Sequence, residues 1–243
     1  MYGYRARIGY CSPPLVTETF CYEFYRMAPV GVTIMITTLA VTSMTSPALQ
    51  AMLAESHVRS LEAARVMARA KADVVVLGGN PVNQSRGVEN LDRICHELSI
   101  EIGTKVITST QSQMKALRML GARKVATVHP FEHETNGSHE QSMRNLGFEA
   151  AGVIGCGYTA EELGGIPADM VLKMAHRIKQ EHPEADTIHP SCAHWATAHA
   201  IDQIERELCV DVMTSQQAIL WNALRTVGID DRLDGYGRLL REF

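Results

Sequence analysis

Two short loops hold the residues best placed to do chemistry in this 243-residue chain. One reads Gly78-Gly79-Asn80-Pro81-Val82-Asn83, the other Ser191-Cys192-Ala193-His194. Each follows a short apolar run, so each is expected at the C-terminal end of a strand, where open α/β sheets bind their ligands. A cysteine at a strand end just before a helix meets backbone N–H groups and a helix dipole that stabilise thiolate. The same N–H groups can hold a carboxylate or a developing enolate oxygen. Ser191 adds a hydroxyl, and Thr108, Ser109, Thr214 and Ser215 fall at neighbouring strand ends. A cleft of small polar groups and loop amides suits a small carboxylic acid. Cys192 is the expected catalytic residue, weighed against an ordinary packed cysteine, because free cysteine is among the most buried residue types.

Other constellations carry less. Cys11 ends the first strand and could line the same cleft, while Cys21, Cys95 and Cys209 sit in helical patterns where packing is the default. Cys156, between Gly155 and Gly157, reads as a loop residue. His129, Glu132, His133, Glu134 and His139 cluster after a strand, and imidazole and carboxylate are metal ligands. Pro130 interrupts the helix that would align His129 with His133, so no metal is expected. His189 and His194 flank Cys192 as a Cys–His pair would, without a third member. Gly155-x-Gly157 lacks the third glycine and the ribose acid of a dinucleotide site, and no Walker A pattern occurs.

The elements that must position these residues follow from periodicity. Arg7–Cys11, Val32–Thr37, Val74–Leu77, Val106–Thr108, Lys124–Val128, Gly152–Ile154, Thr187–His189 and Val210–Thr214 read as strands. Between them Ser46–Lys71, Glu89–Ile102, Gln111–Leu120, Gly137–Leu146, Ala168–Glu181, Thr197–Leu208 and Gln217–Val227 carry helical spacing. Such alternation predicts parallel sheets with helices on both faces.

The chain also repeats itself. Thr108-Ser109-x-Gln111 recurs as Thr214-Ser215-x-Gln217, and Ala116-Leu117-Arg118-x-x-Gly121 as Ala223-Leu224-Arg225-x-x-Gly228. The stretch from Ala72-Asp73 to Gly79 parallels that from Ala185-Asp186 to Cys192. Two α/β halves are expected, 1–112 (completed by 217–243) and 113–216, with the site between them. The alternative is two units that merely share turn chemistry. Cys192 occupies the place of Gly79, so the expected symmetry is chemically lopsided, with one thiol rather than two.

Composition bounds the rest. The chain is 46% hydrophobic and 21% charged, enough apolar content for a real core and too much for disorder. A net charge of -4 gives no basic field for a phosphate backbone, so nucleic acid is not an expected partner. The longest apolar stretch, Pro29 to Val41, is too short for a bilayer, and the start MYGYRARIGYC lacks a signal core. Six dispersed cysteines without a CxxC pair read as reduced thiols, and a soluble cytoplasmic enzyme is expected.

Ser191-Cys192, Glu205-x-x-Leu208, Val212-x-Thr214-Ser215-x-Gln217-Ala218 and Trp221-x-Ala223-Leu224-Arg225 together resemble the arylmalonate decarboxylase/maleate isomerase branch of the aspartate/glutamate racemase superfamily. Ile8-Gly9 with Pro13-Pro14, Gly79, Arg86-Gly87 and Thr108-Ser109 extend the resemblance over the first half. It implies two pseudo-symmetric flavodoxin-like halves and a cofactor-free site between them, with chemistry at carbons next to carboxylates. Racemases and maleate isomerases of the superfamily carry a cysteine in both loops; here Gly79 fills the first. That pattern resembles arylmalonate decarboxylase, in which a malonate loses CO2 and a cysteine protonates the enediolate.

The resemblance places Gly79, Asn80, Asn83, Thr108 and Ser109 on the substrate, together with Phe131, Ser191, Ala193 and Pro14. Asn80-Pro81 replaces a hydroxyl pair and Phe131 a tyrosine, so Asn80 or Asn83 is expected to rebuild the oxyanion pocket. The leading expectation is a decarboxylase of a malonate-like diacid with Cys192 as proton donor. The alternatives are cis–trans isomerisation of a maleate-like diacid by the Cys192 thiolate, and a small-acid binding protein with reduced catalysis. A small carboxylic acid is the expected partner, with no membrane partner and with homo-oligomerisation left open.

Overall fold

In the computed structural model, which describes residues 2–12, 18–39, 41 and 46–243, strands and helices alternate from end to end. The first half runs β1 (Ala6–Ser12), α1 (Glu18–Met27), β2 (Val32–Thr38), α2 (Leu49–Arg69) and β3 (Val74–Leu77). It continues through α3 (Asn80–Gln84), α4 (Leu91–Ile102) and β4 (Lys105–Thr108) into α5 (Ser109–Leu120). The second half runs β5 (Lys124–Phe131), α6 (Asn136–Asn145), β6 (Glu149–Tyr158), α7 (Met170–Glu181) and β7 (Thr187–Pro190). Then come α8 (Ile201–Leu208), β8 (Asp211–Val212), α9 (Ser215–Thr226) and α10 (Gly237–Glu242). Each half has one four-stranded parallel sheet, ordered β2-β1-β3-β4 in the first and β6-β5-β7-β8 in the second. The fold is α/β with two halves of like build. No helix among the described residues is long and apolar enough to cross a membrane.

The repeated residues turn out to be the fasteners of this architecture. Asp73 and Asp186 sit at equivalent strand entrances. There the Asp73 carboxylate accepts from the Arg7 N–H at 2.8 Å, and Asp186 from the Lys124 N–H at 3.1 Å. At the strand exits the Gly78 N–H donates to the Cys11 carbonyl at 2.9 Å and the Ser191 N–H to that of Val128 at 2.8 Å. Thr108-x-x-Gln111 and Thr214-x-x-Gln217 are capping boxes: threonine hydroxyl accepts the N–H three residues on, and glutamine accepts the threonine N–H. The central strand β3, Val-Val-Val-Leu, is wholly buried, as a strand covered by helices on both faces must be. Helices α5 and α9 lie against one another, joined by a hydrogen bond from the Asn222 amide to the Ser112 hydroxyl at 3.0 Å. A single core cluster joins their inner faces to β1, β3 and α1.

Several expectations shift. Helix α1 was not expected from periodicity, because its inner face mixes Phe20, Phe24 and Met27 with a buried acid, Glu23. That side chain accepts the N–H groups of Thr197 and Ala198 at 2.8 and 2.5 Å, so the buried acid does a capping job. The helix expected from Thr197 starts as a 3-10 turn at Ala198–Ala200, and α8 proper begins only at Ile201. The last strand stops at Val212, because Thr214 turns to cap α9. Cys11 does not reach the cleft: it is fully buried on the opposite face of β1, its thiol within 3.5 Å of the Ser60 carbonyl. Cys156 is in strand β6 rather than a loop.

Gly78, just past β3, has no room for a side chain. A Cβ there would collide with the Cys11 backbone carbonyl and lie 2.7 Å from the Tyr10 ring. Gly78→Ala is expected to cost about 1–3 kcal/mol, the usual range for overpacking. Urea unfolding should show a lower midpoint with an unchanged m-value; a midpoint equal to that of the unsubstituted protein would contradict this geometry.

Candidate active site

The C-terminal ends of both sheets open onto a cavity of about 360 Å³. Gly79 and Asn80 line it from the β3 loop, and Ser191, Cys192 and Ala193 from the β7 loop. Ser109 and Ser215, the first residues of α5 and α9, face it from the helix N-termini. Both helices are 12 residues long, so each directs the positive end of its dipole at the cavity. Phe131 lines it from the end of β5.

The two loops share a backbone geometry. Gly79 has φ 81°, and Cys192, its counterpart, has φ 112°. Glycine adopts such angles freely, whereas for a residue with a Cβ the conformation costs roughly 1–3 kcal/mol. The second loop keeps a strained cysteine where the first has a glycine. Its N–H donates to the Ser215 hydroxyl at 3.2 Å, which anchors the loop to the start of α9.

Burial pushes the Cys192 thiol up to about 12, although the N–H groups of His194 and Trp195 point at the sulfur and favour its charged form. The expected helix N-terminus behind Cys192 is absent, since α8 starts nine residues on. The resting sulfur is therefore a thiol. His194 does not serve as its base: its Nε2 lies 3.0 Å from the Ser12 hydroxyl, and its ring packs by Tyr10 and Phe20. The His189 Nδ1–H donates to the Met213 carbonyl at 2.7 Å, and burial lowers its pKa to about 4, leaving it neutral.

Three expected ligand residues have other tasks. The Thr108 hydroxyl caps α5. Asn83 is buried beneath the cavity floor, its amide donating to the Leu77 carbonyl and the Ser109 hydroxyl, each at 3.0 Å. Asn80 does line the cavity, yet its amide oxygen accepts from Thr110 and Ser109 and its Nδ2 donates to Gln113 at 2.6 Å. Both N–H groups of the Asn83 amide are thus engaged, whereas Asn80 Nδ2 keeps one hydrogen beyond its bond to Gln113. Pro14 lies outside the described residues.

The cavity also recruits residues that sequence reasoning missed. Tyr10 enters from β1, stacked on Phe20 with ring centroids 4.0 Å apart. Leu49 and Leu53 of α2 and Ile219 of α9 add apolar wall. His139 of α6 lines it as well, stacked on His129 at 3.9 Å. A sequence signal existed for His139, which is four residues before the buried Met143 and so on the inward stripe of its helix. Among the described lining residues there is no Lys, Arg, Asp or Glu. Among the described residues no three His, Cys, Asp or Glu side chains are arranged to hold a metal ion.

Comparison with known proteins agrees with this architecture. The family model for arylmalonate decarboxylase matches residues 11–240. An arylmalonate decarboxylase from Bordetella bronchiseptica is 28% identical over 185 residues, covering 74% of this chain and 75% of that protein. Among solved structures, unliganded arylmalonate decarboxylase superposes with a TM-score of 0.80 at 24% identity, over 98% of this chain and 100% of the other. A maleate isomerase from Pseudomonas putida gives 0.81 at 20% identity, over 98% of each chain.

The raised pKa of the Cys192 thiol makes a direct prediction. With a pKa near 12, Cys192 is protonated at neutral pH, and only the thiolate reacts with alkylating agents. The rate of iodoacetamide labelling at Cys192, followed by mass spectrometry, should rise about tenfold per pH unit from pH 7 to pH 10 without a plateau. A plateau near pH 7 would show a thiolate at rest.

Proposed function

The chain belongs to the arylmalonate decarboxylase family, and from that membership we propose a cofactor-independent decarboxylase of a malonate-like dicarboxylic acid, with Cys192 as proton donor. Its relatives are a decarboxylase and maleate isomerases, and the chain is an enzyme of that lyase-or-isomerase kind. The observation that carries the choice is the single thiol, held protonated on one side of the cavity and faced by glycine in the equivalent loop. A racemase needs an acid and a base on opposite faces of the reacting carbon. Addition to a double bond needs a thiolate. Protonation of a planar enediolate needs one neutral donor on one face.

In the proposed reaction one carboxylate of the diacid lies toward the N-termini of α5 and α9. The bond from the central carbon to the other carboxylate breaks, and CO2 leaves. Its electron pair passes into the retained carboxylate, giving an enediolate whose added charge faces the helix dipoles and loop N–H groups. The central carbon then takes the proton from Cys192 Sγ. The resulting thiolate is held by the N–H groups of His194 and Trp195 until water returns a proton. Those N–H groups serve the sulfur as an anion during turnover, while burial keeps it a thiol at rest.

The test is CO2 release from malonates bearing two different substituents on the central carbon. Wild-type protein should release CO2 and yield one enantiomer in excess, since only one face meets a donor. Cys192→Ala should lower kcat/KM by at least ~10²-fold, the usual scale for losing a general acid. Conversion of maleate to fumarate without CO2 release from any malonate would establish the isomerase alternative instead. Turnover unchanged in Cys192→Ala would remove Cys192 from either reaction.

A further inference from the structure

The proposed substrate is a dianion, yet the described residues of the cavity wall include no lysine or arginine. A carboxylate moved out of water must find hydrogen-bond donors, or its binding is lost. Much of the side-chain supply is already engaged. Asn80 is bonded to Ser109, Thr110 and Gln113, and the Gln84 amide donates to the Ser142 hydroxyl at 2.6 Å. Phe131, at the end of β5, offers no polar atom.

His139 is different. Its ring lies in the same wall as Phe131, centroid to centroid 6.2 Å, and is half-buried. One face is covered by the His129 ring at 3.9 Å and nearly parallel, 9° apart. His129 is itself fixed, donating from Nε2 to the Asn136 amide oxygen at 2.8 Å. The stack sets the plane of the His139 ring, and among the described residues the histidine hydrogen bonds are made by His129, His176, His189, His194 and His199, not by the His139 ring. Burial disfavours a charge on either ring, and the neighbouring His129 and His189 act the same way on His139, so His139 presents one N–H and one bare nitrogen. A neutral imidazole on a rigid stack is a pre-oriented donor.

We propose that His139 is a carboxylate-binding residue of this cavity, donating a ring N–H to one carboxylate of a bound dicarboxylic acid. The proposal rests on the diacid reading above, and makes His129 and Asn136 its positioning residues. It also gives the His129–His139 pair a role that metal ligation does not supply.

Malonate and phenylmalonate binding to the full-length protein, measured by titration calorimetry, provides the test. His139→Leu should weaken binding about tenfold to a hundredfold, the scale of a hydrogen bond to a charged group. His139→Gln, which keeps an N–H donor, should recover most of the loss, whereas a purely structural role would leave both variants alike. In wild-type protein labelled with 15N-histidine, the His139 ring resonances should shift on malonate addition, a reading that needs no variant to fold. Equal affinity in wild type and His139→Leu, or an unmoved His139 resonance in malonate-bound protein, would overturn the assignment while leaving the diacid reading intact. If wild-type protein binds neither malonate, phenylmalonate nor maleate, the diacid reading falls and the role of His139 with it.

Discussion

Everything at the cavity hangs on the way α5 and α9 begin. Each starts with a threonine whose hydroxyl closes a capping box with a glutamine three residues on. An N-cap of this kind is worth about 1 kcal/mol, and it does more than stabilise a helix end. It fixes the next residue, Ser109 or Ser215, at the first turn, with its hydroxyl directed at the neighbouring loop. Ser109 joins the side chains of Asn80 and Asn83, and Ser215 takes the N–H of Cys192. Helix start, loop conformation and dipole direction are thus one constraint, applied twice. Loss of either box would loosen a loop as well as a helix.

On that symmetric frame the chemistry is asymmetric. The two loops share a left-handed backbone, which the first meets with glycine and the second with cysteine. The second half carries the strain at a residue with a side chain, and the first avoids it with glycine. The same split recurs one layer out. Asn80 and Gln113 form a hydrogen bond in the first half, while the equivalent positions in the second are Ala193 and Ile219. The cavity therefore has a polar flank and an apolar flank around one thiol.

Much of this was legible in the sequence, but unevenly. Strands such as Val74–Leu77 and helices with clear stripes could be read from periodicity, and the repeat announced two similar halves. The repeated residues themselves proved to be fasteners: Asp73 and Asp186 at strand entrances, Thr108 and Thr214 at helix starts. The repeat breaks at Cys192 opposite Gly79, which is why that thiol could be singled out. A polar residue in a loop looks the same in sequence whether it faces a ligand or a neighbouring backbone. Asn83 and Thr108 were read as ligand contacts for that reason. Tyr10, Leu49 and His139 come to the cavity from three separate elements, a convergence that only tertiary packing produces. Helix α1 stayed hidden because a buried carboxylate, Glu23, interrupts its apolar face.

The lack of charged side chains in the described cavity wall fits the proposed chemistry in a specific way. Decarboxylation of a dianion leaves the total charge unchanged and moves it, from the departing carboxylate to the retained one. A lysine or arginine near the departing group would hold that charge in place and so stabilise the ground state, which slows the reaction. Neutral dipoles at one end gain strength as charge arrives, because they are already oriented and need not reorganise. In the proposed reaction, apolar residues such as Leu49 and Leu53 would give the departing carboxylate little to hold it and would suit neutral CO2 well. The Cys192 thiol obeys the same logic. In the proposed reaction, burial would keep its proton in place until a carbon more basic than the sulfur appears beside it, and two N–H groups would then receive the charge it leaves behind.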